Sequence, residues 1–183
     1  YGGTRLMASK IKVDQIQTGD GTGTIALQNQ LSGMTSASMP TATVVNQSFT
    51  QTASSTVNTS TTPAATAISA AITPTSATNK MLIHLDIQVY RSQNSTGTRL
   101  WLYRDIGGGG FSNFLLFNYY AGYANDGGTD VHNSATVTLE DTSYDSTSAV
   151  TYKVYMAMSH GTGDVRINQN ANVSSILVQE IAL

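Results

Sequence analysis

Bulky apolar and aromatic side chains crowd one short stretch, which follows a run of four glycines and precedes an Asn-Asp-Gly-Gly turn. They are Phe111, Phe114, Leu115, Leu116, Phe117, Tyr119, Tyr120 and Tyr123. Aromatic rings stack on the faces of sugars and anchor protein interfaces, while Asn and Asp hydrogen-bond to hydroxyl groups. The same composition is typical of a core strand or of packing about a symmetry axis. We expect Phe114 and Leu116 to face the core and Tyr119, Tyr120 and Tyr123 to form a surface site.

Catalysis by a nucleophile requires a histidine close to a carboxylate and to a serine or similar group. The histidines lie on three separate β-prone runs, at His84, His132 and His160. The chain has no Gly-x-Ser-x-Gly motif, which would mark a nucleophile on a sharp turn. His84 and Asp86 share one face of an expected strand, and this pattern is more typical of a polar face near a subunit boundary. We predict that the protein is not an enzyme and has no catalytic residues.

The sequence also gives little indication of a pair of catalytic acids or of a loop that binds calcium or phosphate. The only glutamates are Glu140 and Glu180, and most aspartates lie in turns, so a carboxylate pair for glycoside cleavage is not indicated. Residues 125–130 place oxygen atoms at alternate positions, as calcium favours, but Asn, Asp and Gly are also the usual turn residues. The glycine-rich residues 19–23 lack the Gly-Lys-Ser/Thr ending of a phosphate-binding loop. We therefore predict no metal and no cofactor.

The composition excludes several classes of protein. Of 183 residues only 11% are charged, against about a quarter in typical proteins, and the net charge is −2. The nine basic residues are scattered and form no patch, which argues against nucleic-acid binding. No apolar run approaches the roughly 20 residues of a membrane span, so we expect no membrane insertion. Glutamate and lysine are scarce while Thr, Val, Ile and Tyr are plentiful, which predicts an all-β chain.

Strand patterns support a sandwich. Apolar and polar residues alternate through residues 81–90, and similar alternation occurs at 98–104, 131–139 and 150–159. Residues 47–62 are typical of edge strands or long loops, and Pro63 and Pro74 keep residues 64–72 from pairing centrally. About eight strands separated by turns follow residue 43, which predicts a two-sheet jelly roll. The last run, residues 173–183, fits a strand in a central position of its sheet.

The N-terminal part has a different organisation. Residues 10–28 form two short β-prone runs around a Gly-Asp-Gly-Thr-Gly turn and predict a hairpin, which buries too little to be stable alone. Residues 29–40 are small and polar, as in a linker. We predict an attachment segment with its linker at residues 1–42 and a jelly-roll head at residues 43–183. Met7-Ala8-Ser9 is typical of a translation start, and we assign no function to residues 1–6.

A short N-terminal motif resembles a known class of protein. The stretch Ser9-Lys10-Ile11-Lys12-Val13-Asp14-Gln15-Ile16, followed by Thr18-Gly19-Asp20-Gly21-Thr22-Gly23-Thr24-Ile25-Ala26-Leu27, is similar to the opening of many tailed-bacteriophage virion proteins, especially fibre proteins of marine and cyanobacterial phages. There, such a segment leads into a C-terminal globular head. The resemblance implies a location on the virion and attachment to other virion proteins. The residues that would attach are Lys10, Ile11, Val13, Ile16, Ile25 and Leu27.

The strand pattern of the remainder resembles the trimeric, tumour-necrosis-factor-like jelly-roll heads found at the tips of such fibres. The resemblance implies a homotrimer in a short tail fibre, whose head binds a host-surface glycan or protein. In that interpretation the receptor-binding residues are Tyr119, Tyr120, Tyr123, Asn125 and Asp126. Two alternatives remain: a capsid decoration or cement protein, or head fibre, that stabilises the shell, and a free carbohydrate-binding module.

Overall fold

The computed structural model describes residues 40–93, 95–123 and 130–183, together with the backbone of two short strands near the N-terminus. The chain divides into two units, Tyr1–Met39 and Pro40–Leu183, and each is described by itself. In the first unit, β1 (Ile16–Gln17) pairs antiparallel with β2 (Thr24–Ile25). The predicted strand reversal around the glycine-rich turn is confirmed by this pairing.

The second unit is all-β, as the composition predicts. Its strands are β3 (Val44–Thr52), β4 (Thr56–Asn58), β5 (Ala64–Ile72), β6 (Lys80–Arg91), β7 (Thr98–Ile106), β8 (Ser112–Ala121), β9 (Val131–Asp141), β10 (Val150–Met158), β11 (Val165–Ile167) and β12 (Ser174–Ile181). A short 3-10 helix at Gln169–Ala171 separates the last two strands. Among the described residues, no helix is long and apolar enough to cross a bilayer.

Two antiparallel sheets form the sandwich. One has the order β5-β10-β7-β8. In the other, β6 pairs with β12 and β11 along one edge and with β9 along the opposite edge, while β3 pairs with β12 and β4 with β11. Each sheet is therefore four strand positions wide, with β3 and β4 sharing one position and β11 and β12 another. These eight positions form the predicted jelly roll, with β12 central.

One edge of each sheet is formed by a segment that the sequence marks as a poor central strand. β3 and β4 form one edge of their sheet, as expected for a segment rich in Ser and Thr. β5 lies between Pro63 and Pro74 and forms an edge of the other sheet. Because proline lacks a backbone N–H, it is tolerated at strand ends and sheet edges but not within a fully bonded ladder.

The core lies between the inward faces of the two sheets. On β6 the buried apolar side chains are Met81, Ile83, Leu85, Ile87 and Val89, which confirms the alternation read from the sequence. Opposite them, the other sheet contributes Ile68, Leu100, Leu102, Tyr152, Val154 and Met156. Burial of each large apolar side chain contributes about 1.5–3 kcal/mol. The apolar residues that alternate along the central strands are therefore the ones that pack in the core.

The predicted position of one core residue is wrong. Phe114 packs against the core as expected, but Leu116 is 38% exposed, and Phe117 takes the inward position instead. The pairing of β8 with β7 shifts register at three points along the strand. A bulge inserts an extra residue into one strand and so breaks strict alternation. Leu115 and Leu116 are consequently both exposed, between two phenylalanines that pack against the core.

A buried carboxylate links the two sheets. Asp141, the last residue of β9, is 1% exposed. Its oxygens accept hydrogen bonds from Arg104 Nη1 on β7 at 2.7 and 2.8 Å, and from Tyr152 Oη on β10 at 2.7 Å. The backbone N–H of Ser143 donates a further bond at 2.8 Å. Because Arg104 and Tyr152 belong to the other sheet, this single carboxylate fixes the sheets relative to each other.

The protonation of this network follows from its contacts. Burial raises the pKa of Asp141, but the hydrogen bonds from Arg104, Tyr152 and Ser143 lower it by more, so the pKa lies below its ordinary value of 3.8. Burial also raises the pKa of the Tyr152 phenol, and the neighbouring Asp141 charge adds to the effect. At neutral pH the carboxylate is therefore ionised and the phenol donates to it.

We predict that Asp141→Asn lowers the free energy of unfolding by about 3 kcal/mol, because a neutral amide leaves the Arg104 charge uncompensated at a largely buried position. Urea denaturation at pH 7 measures the change. The neighbouring Glu140→Gln is the matched control, since Glu140 is exposed and its ion pair with Lys80 lies on the surface. We expect this control to lose less than about 1 kcal/mol.

The difference in free energy of unfolding between the wild type and Asp141→Asn should become smaller as the pH falls. Because the folded pKa lies below the unfolded value, the unfolded chain takes up the proton first. The stabilisation by the carboxylate is thus fully present above the unfolded pKa and is lost as the pH falls through the folded pKa. Urea midpoints at pH 7, 5 and 3 follow this loss, and a difference that stays constant down to pH 3 would contradict the assignment.

Candidate functional site

Three tyrosines predicted to form a surface site lie together at the end of β8. Tyr119 and Tyr120 belong to the strand and Tyr123 follows it; they are 42%, 47% and 41% exposed. The ring centroids of Tyr119 and Tyr120 are 4.5 Å apart, and those of Tyr120 and Tyr123 are 5.2 Å apart. Both pairs meet edge to face, an arrangement that the ring quadrupole favours.

A histidine from a distant part of the chain completes this surface. His160, in the loop after β10, lies parallel to Tyr120 with ring centroids 5.8 Å apart and an interplanar angle of 8°. Its ring is also 6.3 Å from that of Tyr123. We call Tyr119, Tyr120, Tyr123 and His160 the tyrosine cluster. The sequence places His160 only on a separate run, because no local pattern indicates a contact between β8 and the β10–β11 loop.

Arg99 on β7 borders the tyrosine cluster. The central carbon of its guanidinium lies 4.3 Å from the ring centroid of Tyr119, a distance at which a cation is attracted to the ring. Its Nη2 donates hydrogen bonds to the hydroxyl of Tyr119 and to the carbonyl of Ser159, the latter at 2.9 Å. Arg99 is not among the site residues predicted from the sequence, although alternation on β7 places it on the outward face.

Two hydrogen bonds between Gly97 and Ser159 join the residues just before β7 to the loop after β10. The N–H of Gly97 donates to Ser159 Oγ at 2.9 Å, and the N–H of Ser159 donates to the carbonyl of Gly97 at 2.8 Å. A Cβ atom on Gly97 would lie 3.0 Å from the Cβ of Tyr123 and 3.3 Å from the Cα of Tyr120. Tyr120 and Tyr123 therefore pack directly on a glycine, where even a Cβ atom would make contacts tighter than usual.

The cluster lies at one end of an outward face that carries several aromatic rings. On this face of the β5-β10-β7-β8 sheet, Tyr103 stacks on Tyr155 with ring centroids 3.9 Å apart. Lys153 Nζ lies 5.6 Å from the ring centroid of Phe111. The outward face of the other sheet mixes Gln, Ser and Thr side chains with apolar and aromatic residues such as Phe49 and Leu177.

Other predicted site residues are not positioned by the structure. Asn125 and Asp126 lie outside the described residues. The same holds for four residues of the predicted attachment segment: Lys10, Ile11, Val13 and Leu27. The remaining two, Ile16 and Ile25, are described only by their backbone pairing, in which they lie opposite each other. Their roles in receptor binding and virion attachment therefore stay predictions.

The other two histidines make separate contacts away from the cluster. His84 Nδ1 lies 2.9 Å from Thr138 Oγ1 on the outward face of β6. Asp86, two residues along the same face, accepts from Gln88 Nε2 at 3.2 Å. The ring of His132 lies 4.9 Å from that of Tyr90. In the described part of the chain, no histidine side chain is hydrogen-bonded to a carboxylate.

The two glutamates have unlike surroundings. Glu140 is exposed and pairs with Lys80 at 3.0 Å. Glu180 on β12 is fully buried, and its carboxylate accepts hydrogen bonds from the loop before β6; the donors are Thr75 N and Oγ1, Ser76 N and Asn79 Nδ2. This geometry fixes the loop and leaves Glu180 closed to a substrate. Within the described ranges, no three His, Asp or Glu side chains form a group that could hold a metal ion.

Comparison with known proteins yields a distant likeness only. No family model and no curated protein matches the chain. Its fold resembles the VP2 subviral particle of infectious bursal disease virus, with 12% identity and a TM-score of 0.41 over 76% of this chain and 38% of VP2. The Gt strain of that virus gives 14% identity and a TM-score of 0.34, over 76% and 39%. The chain spans less than two fifths of these VP2 chains, and at such values the likeness carries no argument about function.

We predict that Gly97→Ala displaces the loop at Tyr120 and Tyr123, because the new Cβ would lie closer to both residues than an ordinary van der Waals contact. The variant should lose about 1–2 kcal/mol of stability and change the near-ultraviolet circular dichroism of the tyrosines. Gly161→Ala is the matched control, since nothing lies within 4 Å of a Cβ at that position. Identical spectra for the two variants would contradict the role assigned to Gly97.

Proposed function

We propose that the protein is a non-enzymatic virion protein of a tailed bacteriophage: a short trimeric fibre whose jelly-roll head binds a host-surface glycan. The observation that carries the proposal is the tyrosine cluster, three exposed tyrosine rings and a parallel histidine ring at one end of a rigid sandwich. Recognition sites are commonly built from loops and strand ends on such a scaffold.

The chemistry of the cluster suits a sugar better than a catalytic reaction. Exposed aromatic rings offer apolar surface to the C–H groups of a sugar face, and their hydroxyl groups offer hydrogen bonds. The edge-to-face contacts and the bond between Arg99 and Tyr119 hold the rings in place before a ligand arrives. A preorganised surface binds with a smaller loss of conformational entropy.

The proposed trimer is supported by surfaces that an isolated head leaves open. No described strand pairs with the outer edge of β8, and Leu115 and Leu116 on this strand are exposed. Open edges and exposed apolar side chains are normally protected in proteins, and a neighbouring copy would cover them. The short N-terminal β1–β2 pair likewise needs partners in order to be stable.

Attachment to the particle is assigned to the N-terminal segment. The motif at residues 9–27 resembles the opening of phage fibre proteins, and it precedes the head in the chain as it does in those proteins. The partners in this proposal are two further copies of the chain, other virion proteins and the host-surface ligand.

We predict that the double variant Tyr120→Ala/Tyr123→Ala loses at least about tenfold in affinity for glycans while keeping its oligomeric state, because it removes two stacking surfaces and no core residue. Binding of the full chain to a glycan array measures the affinity, and sedimentation measures the oligomeric state. Phe49→Ala is the control, since Phe49 is the most exposed ring of the other sheet's outer face. Unchanged glycan binding by the double variant would place the site elsewhere.

The capsid alternative differs in stoichiometry and in phenotype. We expect at most a few tens of copies in purified virions, as fits a fibre, measured by quantitative mass spectrometry. We also expect particles that lack the protein to lose adsorption to host cells. Hundreds of copies, together with normal adsorption and loss of DNA on heating, would instead identify a capsid decoration protein.

A further inference from the structure

One arginine at the tyrosine cluster differs from the other described arginines in its contacts. Arg104 pairs with Asp141, and Arg166 pairs with Asp164 at 2.6 Å. Arg91 is buried and donates to the backbone carbonyl of Gly122. Arg99 lies on the ring of Tyr119 and forms no ion pair within the described residues.

The comparison with Arg166 isolates this difference. Arg166 lies 5.3 Å from the ring centroid of Tyr90, and its charge is neutralised by Asp164. Arg99 lies 4.3 Å from the ring centroid of Tyr119, and its described hydrogen-bond partners are a phenol and a carbonyl, both neutral. Two arginines therefore share the same kind of ring contact, but among the described residues no carboxylate pairs with Arg99.

The guanidinium of Arg99 also retains a free donor. Nη2 is occupied by Tyr119 and Ser159, and Nε is buried. Nη1 has no hydrogen-bond partner among the described residues and is not buried. Because a guanidinium is weakly hydrated and always charged, an anion at this position gains a charge-assisted hydrogen bond at small desolvation cost.

On the basis of the proposed glycan-binding function, we infer that the tyrosine cluster binds acidic glycans. The sugar face packs on the rings of Tyr120 and Tyr123, and its carboxylate or sulfate accepts a hydrogen bond from Arg99 Nη1. The cluster contributes no described carboxylate that would repel such a ligand. A cation that has no ion-pair partner among the described residues, next to exposed rings, selects anionic sugars over neutral ones of the same shape.

The experiment compares sugars that differ only in charge. The full chain is applied to an array that carries neutral, carboxylated and sulfated oligosaccharides. The best carboxylated ligand is then measured by titration calorimetry beside its carboxyl-reduced form, at low and high salt. We expect the acidic form to bind about tenfold more tightly at low salt, with a smaller difference at high salt, because charge pairs at a surface are screened.

Variants assign this preference to Arg99. Arg99→Gln should remove most of the difference between the acidic and reduced forms, and Arg99→Lys should keep part of it because the charge remains. Arg166→Gln is the matched control and should keep the full preference, since that charge is already balanced by Asp164. Thermal melting and sedimentation verify that each variant is folded and assembled like the wild type.

The outcomes separate this inference from the function on which it rests. Preference for carboxylated or sulfated sugars that depends on Arg99 supports the inference, and the array identifies which anion is bound. Equal binding of acidic and neutral forms, or an unchanged preference in Arg99→Gln, overturns it while glycan binding still stands. If no glycan of any class binds, both the proposed function and the inference fail.

Discussion

The central strand β6 is hydrogen-bonded along both edges, and the rest of the sandwich is arranged around it. Residues Met81–Asp86 pair with β12 on one side and with β9 on the other. One face of β6 lies in the core, and the opposite face carries polar groups such as His84 and Asp86. Because its pairing and its alternation agree over the whole length, a shift of one residue would expose every core side chain that it carries.

The small number of charged residues has a structural counterpart. Asp141 and Glu180 are buried, and each holds together segments that are far apart in the sequence: Asp141 links the two sheets, while Glu180 fixes the loop before β6. Two of the few charged side chains therefore stabilise the interior of the head. Much of the hydration of the surface is left to hydroxyl and amide groups. Against that background, an arginine that forms no ion pair within the described residues and lies at a cluster of exposed rings is chemically distinctive.

Sequence periodicity predicts the parts of the fold that depend on local pattern. It finds β6, β7 and β10 and their buried faces, because alternation along a strand is a short-range property. It fails at Leu116, where a register shift between β8 and β7 breaks the period of two. It also misses Arg99 and His160 as neighbours of the tyrosines, since those contacts join β7, β8 and the loop after β10. Tyr119, Tyr120 and Tyr123 can be grouped from the sequence because they lie within five residues of one another in the chain.

The position of β12 has a consequence for the order of events during synthesis. This strand lies between β3 and β6, and its pairings connect it to residues near the beginning of the head. Until β12 has left the ribosome, β3 has no neighbour in its sheet and one edge of β6 is largely unpaired. Long-range antiparallel pairing of this kind is slow to form and leaves strand edges open to other chains in the meantime. Both β3 and β6 therefore complete their pairing only after nearly the whole head has been synthesised.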